Sequence, residues 1–327
     1  MAHSQVHRDV AYGSAPRQTL DLYLPNTAKA EERAPLLVFV HGGAWRTGNK
    51  GEFDDLASAL SGSGIAVTLI EYRLSEKSAP DVKHPDHVLD VFAGLAYLVE
   101  NVGKLPYDAD NVTLVGHSVG AWMALACVME PSSTGHALPM PTLAPVAQQA
   151  IKRVVLVDGI FDLNKLLEEY PDYAGFVAGA MQPHSDADDV YTGVSSGAWS
   201  WPKGTKARPD LFLLHSPQDE LLSFVQPCVL LERLVALREP QEPVHAISIP
   251  QPGLSDEAPG YWYGGRAGDP AAVSVAHIYQ GSLHNIPQHV QVYMDRLEGS
   301  VYSKVGNRAN GKQYFDVHKT NGCKSFV

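Results

Sequence analysis

The stretch Gly116-His117-Ser118-Val119-Gly120 sets one hydroxyl between two small residues. An apolar run, NVTLV, precedes it and a helical pattern, VGAWMALACVM, follows. A G-x-S-x-G between strand and helix is the context of a nucleophile elbow, where a tight turn lifts the serine above the sheet. It also places the hydroxyl at a helix N-terminus, where developing negative charge is favoured. A serine that attacks a carbonyl creates an oxyanion, and backbone N–H donors must already be in place for it. Val119 supplies one such amide. A second source is the segment after PLLVFV, where the strand stops at His41-Gly42-Gly43. Glycines there let the main chain approach another group closely, so Gly42 and Gly43 are the expected further donors. His41 reads as a residue that orders this loop.

The serine needs a base, and the base an orienting acid. In the architecture that uses this elbow the chain order is serine, acid, histidine. His284, in GSLHN, falls between the strand pattern VSVAHIY and the last helical pattern, PQHVQVYMDRLEG. His277 and His289 fall inside those elements, and His245 opens the strand VHAISI. Asp219, in HSPQDELL just past LFLLHS, is the preferred acid. Asp158, in VLVDG, is its rival, and Glu220 a weaker one. Asp158-Gly159 reads as a chain-turning pair. Trp45, just after the Gly pair, is either an aromatic wall for substrate or a plug under the loop.

The elements that must position these groups alternate. VHRDVAYG and QTLDLYLP form an antiparallel pair around a Gly-Pro turn. PLLVFV, IAVTLIEYRL, NVTLVGH, KRVVLVDG and LFLLHS are short apolar strands. Between them lie EFDDLASAL, HPDHVLDVFAGLAYLVENV and VLLERLVAL, whose apolar residues recur at helical spacing. This is an α/β pattern with a mostly parallel central sheet and helices on both faces. Residues 159–208, with LNKLLEEY among Gly, Pro, Asp and Ser, read as a small cap. Residues 250–272 read as an insertion whose tip carries Tyr261, Trp262 and Tyr263. The sequence divides into a catalytic domain at 1–298 and a polar C-terminal tail at 299–327. VHAISI is expected to run through the central sheet.

Composition narrows the classes. The chain has 327 residues, 45% hydrophobic and 19% charged, with a formal net charge of -11. That balance fits a globular protein with a sizeable core and argues against nucleic acid or an anionic membrane as partner. No apolar run is long enough to span a bilayer. Three cysteines, Cys127, Cys228 and Cys323, show no paired spacing, as in a reducing, cytoplasmic setting. His84 and His87 in HPDH lack a companion metal motif, so no metal is expected. No G-x-G-x-x-G or Walker sequence is present, so no nucleotide cofactor is expected either. A small-molecule acyl substrate is the expected partner, and a homodimer is left open.

With these residues in view, the sequence resembles the kynurenine formamidases (arylformamidases) of the fungal type, within the α/β-hydrolase esterase-lipase superfamily. The matching stretches are HGGAW at 41–45, GHSVGA at 116–121, DGIFDLNKLLEEYP at 158–171, HSPQDELL at 215–222 and LHN at 283–285. HGG and G-x-S-x-G are common to many serine esterases; HGG-x-W with the DGIFDL and QDELL blocks is more specific. The resemblance implies an α/β-hydrolase fold and a catalytic triad of Ser118, Asp219 and His284. It implies hydrolysis of N-formylkynurenine to formate and kynurenine in tryptophan catabolism. Trp45 and Trp122 are then the expected substrate-binding aromatics. A related enzyme acting on an ester, lactone or other amide is the alternative.

Overall fold

The computed structural model describes residues 5–26, 33–79, 81–101, 106–131, 140–181, 190–204, 208–215, 219–237, 245–249, 260–264 and 313–316. The central sheet begins with β1 (Gln5–Ala11), β2 (Thr19–Leu24), β3 (Ala34–Val40) and β4 (Ala66–Ile70). It continues with β5 (Tyr107–His117), then β7 (Ile151–Val157) and β9 (Asp210–Leu214); β6 (Glu130–Pro131) and β8 (Trp199–Ser200) form a short ladder of their own. Strand order in the large sheet is β1-β2-β4-β3-β5-β7-β9. β4, β3, β5, β7 and β9 run parallel, and β2 and β1 extend the edge antiparallel.

The strand runs are apolar at almost every position because both faces of the sheet are covered. Leu36, Val38 and Val40 of β3 join one core, while Leu37 and Phe39 join the other. β7 splits the same way, Val154 and Leu156 against Val155 and Val157. This is the period-2 alternation of a strand with two buried sides. On one face, α1 (Asp54–Ser61) contributes Ala57 and Leu60. On the other, α2 (Asp86–Glu100) buries Val88, Val91, Phe92, Leu95 and Leu98. α3 (Val119–Ala126) is buried at every residue, as a helix clamped between sheet and cap must be. No helix among the described residues is long and apolar enough to cross a membrane.

The remaining helices are α4 (Pro145–Ala150), α5 (Leu163–Glu169), α6 (Ala174–Met181) and α7 (Val225–Ala236). Asp162 caps α5, its Oδ1 accepting the Lys165 amide at 2.8 Å. The helical pattern after Ser118 suggested continuation to Pro131, but α3 ends at Ala126. Glu130 and Pro131 instead pair with Trp199 and Ser200, tying the chain beyond α3 to the end of the cap segment.

One strand is placed differently from its expectation. β10 (His245–Ile249) does not join the central sheet. It pairs antiparallel with β11 (Gly260–Gly264), which lies inside the insertion and carries its aromatic tip, and with β12 (Gln313–Asp316) from the tail. Alternation marks a strand but leaves its partner unspecified. The strand and helix expected on either side of His284 lie outside the described residues.

α2 is held to the sheet by charge as well as packing. Arg73, just past β4, reaches Asp90 of α2 with Nε to Oδ2 at 2.8 Å and Nη2 to Oδ1 at 2.7 Å. The Asp90 side chain is 1% exposed and that of Arg73 26%. Hydrogen bonding to Asp90 raises the Arg73 pKa. Gln18 adds a third bond to Asp90 Oδ1 at 2.7 Å. Removing one member of a buried, hydrogen-bonded pair strands the other. Asp90→Ala should therefore cost about 3 kcal/mol, at the low end for such a pair because Arg73 is partly exposed. Urea unfolding of the variant beside the parent chain measures this.

Candidate active site

β5 ends in Gly116 and His117, and the chain reverses at Ser118. Ser118 has φ 56° and ψ −121°, a conformation that costs a non-glycine residue about 1–3 kcal/mol. Its amide donates to Val157 O at 2.9 Å and its carbonyl accepts from Ala121 N at 3.0 Å. The turn is possible only because its neighbours lack side chains. A Cβ on Gly116 would lie 2.2 Å from the Gly120 carbonyl oxygen, and one on Gly120 would lie 2.2 Å from Val40 O. Ser118 is half-buried, at the N-terminus of α3, and Val119 opens that helix. This is the strained strand–turn–helix of a nucleophile elbow.

The second glycine pair meets the first. A Cβ on Gly42 would lie 2.9 Å from Ser118 Cβ, so the loop after β3 rests directly on the serine. Gly43 has φ 109°, and Ala44 and Trp45 follow at 52° and 58°, a run of left-handed residues that closes the turn. The Gly43 carbonyl accepts the amides of Arg46 and Thr47, each at 3.0 Å. The Tyr72 hydroxyl lies 3.0 Å from both the His41 and the Gly42 carbonyl oxygens. In a trans peptide the N–H opposes the C=O. With those two carbonyls turned to Tyr72, the amides of Gly42 and Gly43 face the other way. The two amides thus lie on the side of the loop opposite Tyr72.

His41 and Glu71 hold this arrangement from beneath. The His41 ring is buried and stacks on Tyr72, with centroids 4.3 Å apart. Its Nδ1 lies 2.7 Å from Gly42 O and its Nε2 3.1 Å from Glu71 Oε1. Glu71 Oε2 accepts the Lys50 amide at 3.0 Å, and Arg17 also pairs with this carboxylate. Burial alone would raise the Glu71 pKa, but hydrogen bonds from His41 and the Lys50 amide, with the charge of Arg17, bring it below the ordinary glutamate value.

At the far side of Ser118, β7 and β9 end side by side, with Val157 paired to Leu214. The residues after them are therefore neighbours. Asp158 has φ 44°, and its amide donates to Leu214 O at 2.9 Å. His215 Nδ1 lies 3.7 Å from Asp158 Oδ1, and His215 Nε2 donates to Leu222 O at 3.1 Å. Asp219 Oδ1 accepts the amides of Leu221 and Leu222 at 2.8 and 3.1 Å. Potential ligand atoms of Asp158, His215 and Asp219 all fall within 4.8 Å of one another. The two rival acids thus share one corner of the site. The same cluster could accept a cation, though one Asp219 oxygen and one His215 nitrogen are already engaged with backbone. His117, the middle residue of the elbow's first half, is affected by the same carboxylates. Burial holds its pKa below the ordinary value against the opposing pull of Asp158 and Asp219. Sequence reasoning gave His117 no role; its position beside the serine was the available signal. His284 lies outside the described residues.

The expected substrate aromatics are corrected by burial. Trp45 and Trp122 are both 0% exposed and meet edge to face at 5.6 Å. Trp122 Nε1 donates to Val194 O at 2.7 Å, and the ring lies against Trp199 and His84. Neither indole offers an open face. Together they fill the space between loop, α3 and cap, and Trp122 fastens the cap to α3.

A parallel sheet with a strained serine elbow, an opposed glycine loop and acids at the next strand ends defines an α/β-hydrolase of the serine esterase type. Residues 20–234 match the BD-FAE family. The kynurenine formamidase of Meyerozyma guilliermondii is 35% identical over 233 residues, 71% of this chain and 82% of that protein. That of Saccharomyces cerevisiae is 30% identical over 205 residues, 61% of this chain and 75% of that one. Among solved structures, a truncated carbohydrate esterase from gut microbiota aligns with a TM-score of 0.57 and 22% identity, covering 72% of this chain and 85% of that one. The chain belongs to the kynurenine formamidase family of α/β-hydrolases.

Glu71 makes this site sensitive to acid. A carboxyl held below its unfolded pKa contributes stability that is complete above the unfolded value, near 4.3, and is lost as pH falls through the lower folded value. Glu71→Gln should therefore lower stability at pH 7 and flatten its fall below about pH 4.5. Thermal melts of both proteins between pH 3 and 7 test both effects.

Proposed function

We propose that this chain is a kynurenine formamidase, hydrolysing N-formylkynurenine to kynurenine and formate in tryptophan catabolism. The observation that carries the reading is Ser118, held at a positive φ against the Gly42–Gly43 loop whose amides face away from Tyr72. Kinship to the curated formamidases supports the substrate. In this reading Ser118 Oγ attacks the formyl carbon while His284 takes its proton. Asp219 fixes the imidazole tautomer and stabilises the imidazolium. The amides of Gly42, Gly43 and Val119 carry the oxyanion. The C–N bond then breaks, and His284 returns the proton to the departing aryl nitrogen. An arylamine is a weaker base than an alkylamine, so an esterase-like site can expel it. Water, activated by the same histidine, attacks the formyl-enzyme, releases formate and restores Ser118. Three cysteines without paired spacing in the sequence suit a cytoplasmic setting.

Ser118→Ala should lose turnover by several orders of magnitude while the fold is kept. Asp219→Asn should fall by on the order of 10⁴, and Asp158→Asn far less. If the Asp158 variant is inactive and the Asp219 variant active, both being folded, the acid is Asp158. Turnover of N-formylkynurenine against simple aryl esters and lactones tests the substrate. Preference for an ester or lactone overturns the formamidase reading.

A further inference from the structure

A row of aromatic rings runs along the cap. Tyr170 and Tyr173 are stacked at 5.1 Å, and Tyr173 and Phe176 meet at 5.0 Å. All three are only half-buried. The row's middle ring and one end are tied to loops that carry catalytic candidates. The Tyr173 hydroxyl donates to Leu221 O at 3.2 Å, and the Leu221 amide is bonded to Asp219 Oδ1. At the Phe176 end the Arg46 guanidinium lies 5.0 Å over the ring. Arg46 belongs to the same turn as Gly43, whose carbonyl accepts its amide.

These two loops leave the ends of β3 and β9, which are separated by β5 and β7. Three strand spacings amount to about 14 Å. The ring row links these two loops, and β5, which Ser118 follows, lies between β3 and β9 in the sheet. The charges at its two ends differ. Asp158 and Asp219 lie at one, with Glu169 beside them, bonded to Ser223 Oγ at 2.7 Å. Arg46 lies at the other. It is exposed, and among the described residues no carboxylate pairs with it, whereas Arg17 and Arg73 are both engaged by acids. Leu221, 67% exposed, extends the apolar surface at the acidic end.

We propose that Tyr173, Phe176 and Arg46 form the specificity subsite, selecting an acyl substrate that joins an aryl ring to a carboxylate. The substrate ring packs against the exposed sides of Tyr173 and Phe176 not covered by Tyr170 and Arg46, and its carboxylate takes a charge-assisted bond from Arg46. Repulsion from Asp158, Asp219 and Glu169 disfavours the reverse orientation. This rests on the formamidase reading and deepens it. In N-formylkynurenine the formamide and the amino-acid chain occupy adjacent ring positions. One can therefore reach Ser118 while the other reaches Arg46, on the neighbouring loop.

The test uses two substrate pairs, each differing by the carboxylate. One is N-formylkynurenine with N-formylkynurenamine. The other is 3-(2-acetoxyphenyl)propanoate with 2-propylphenyl acetate. For the parent chain and the Arg46→Met, Arg46→Lys and Phe176→Leu variants, the kcat/KM ratio of the carboxylated substrate to its partner lacking the carboxylate is measured within each pair; the second pair, whose partner is uncharged, isolates the carboxylate from the ammonium that both members of the first pair carry. Arg46→Met should lower the ratio about tenfold, mostly through KM, and Arg46→Lys less. Phe176→Leu should lower kcat/KM for both members of a pair. The parent's ratio should also fall at about 0.5 M salt, where charges are screened within a few ångström, while that of Arg46→Met should not. An unchanged ratio in Arg46→Met, in both pairs, overturns the subsite. If that variant does not fold, a parent ratio insensitive to salt overturns it instead. If N-formylkynurenine is not cleaved by the parent chain, the formamidase reading fails, and the ester pair still decides the subsite.

Discussion

At the end of β3 the backbone touches the backbone of the nucleophile turn. The Val40 carbonyl and the Cα of Gly120 leave no room for a methyl group, and everything else at the site follows from that closeness. It brings the Gly42–Gly43 loop onto Ser118 and requires glycine at 120, while the tightness of the turn itself requires glycine at 116. The unfavourable φ of Ser118 persists because the surroundings fix it from several directions: Val157 O takes its amide, and α3 behind it is wholly buried. Local strain of one or two kcal/mol is small beside the many fully buried side chains of the two cores, each contributing roughly 1.5–3 kcal/mol.

The loop is held by a buried network beneath it. Tyr72 holds two carbonyls, His41 stacks on Tyr72, and Glu71 binds His41, Lys50 and Arg17. Such buried networks are worthwhile only when every member is satisfied. Here the carboxylate is satisfied by donors from three separate segments, so the network also joins β4, the start of the chain and the oxyanion loop. The direction of the Gly42 and Gly43 amides is thus fixed by the fold itself.

Much of this was legible in the sequence because the signals were local. Apolar runs of strand length, helical spacing in 86–100 and glycines at fixed offsets around Ser118 each specify their own geometry. What was not legible depends on which parts of the chain become neighbours. For Trp45, just past the loop glycines, the sequence leaves wall and plug equally open; the left-handed turn through Ala44 and Trp45 carries the indole inward against Trp122. Asp158 and Asp219 compete as single residues in the sequence. In space they are companions, because β7 and β9 are adjacent and parallel. β10 shows strand alternation, but nothing in five residues announces that its partners are Gly260–Gly264 and Gln313–Asp316. The aromatic row on the cap was invisible for the same reason: Tyr170, Tyr173 and Phe176 look like an ordinary helical face until the loops tied to them are seen.

The bond from Trp122 Nε1 to Val194 O has a mechanical consequence. Trp122 lies four residues beyond Ser118 on the nucleophile helix, and Val194 lies in the cap. Lys83 and His84 add bonds to Gly179 O and Ala180 O of α6. The cap is therefore fastened both to α3 and to the segment that leads into α2. Displacing it as a unit would break all three bonds and part the packed rings of Trp122 and Trp199.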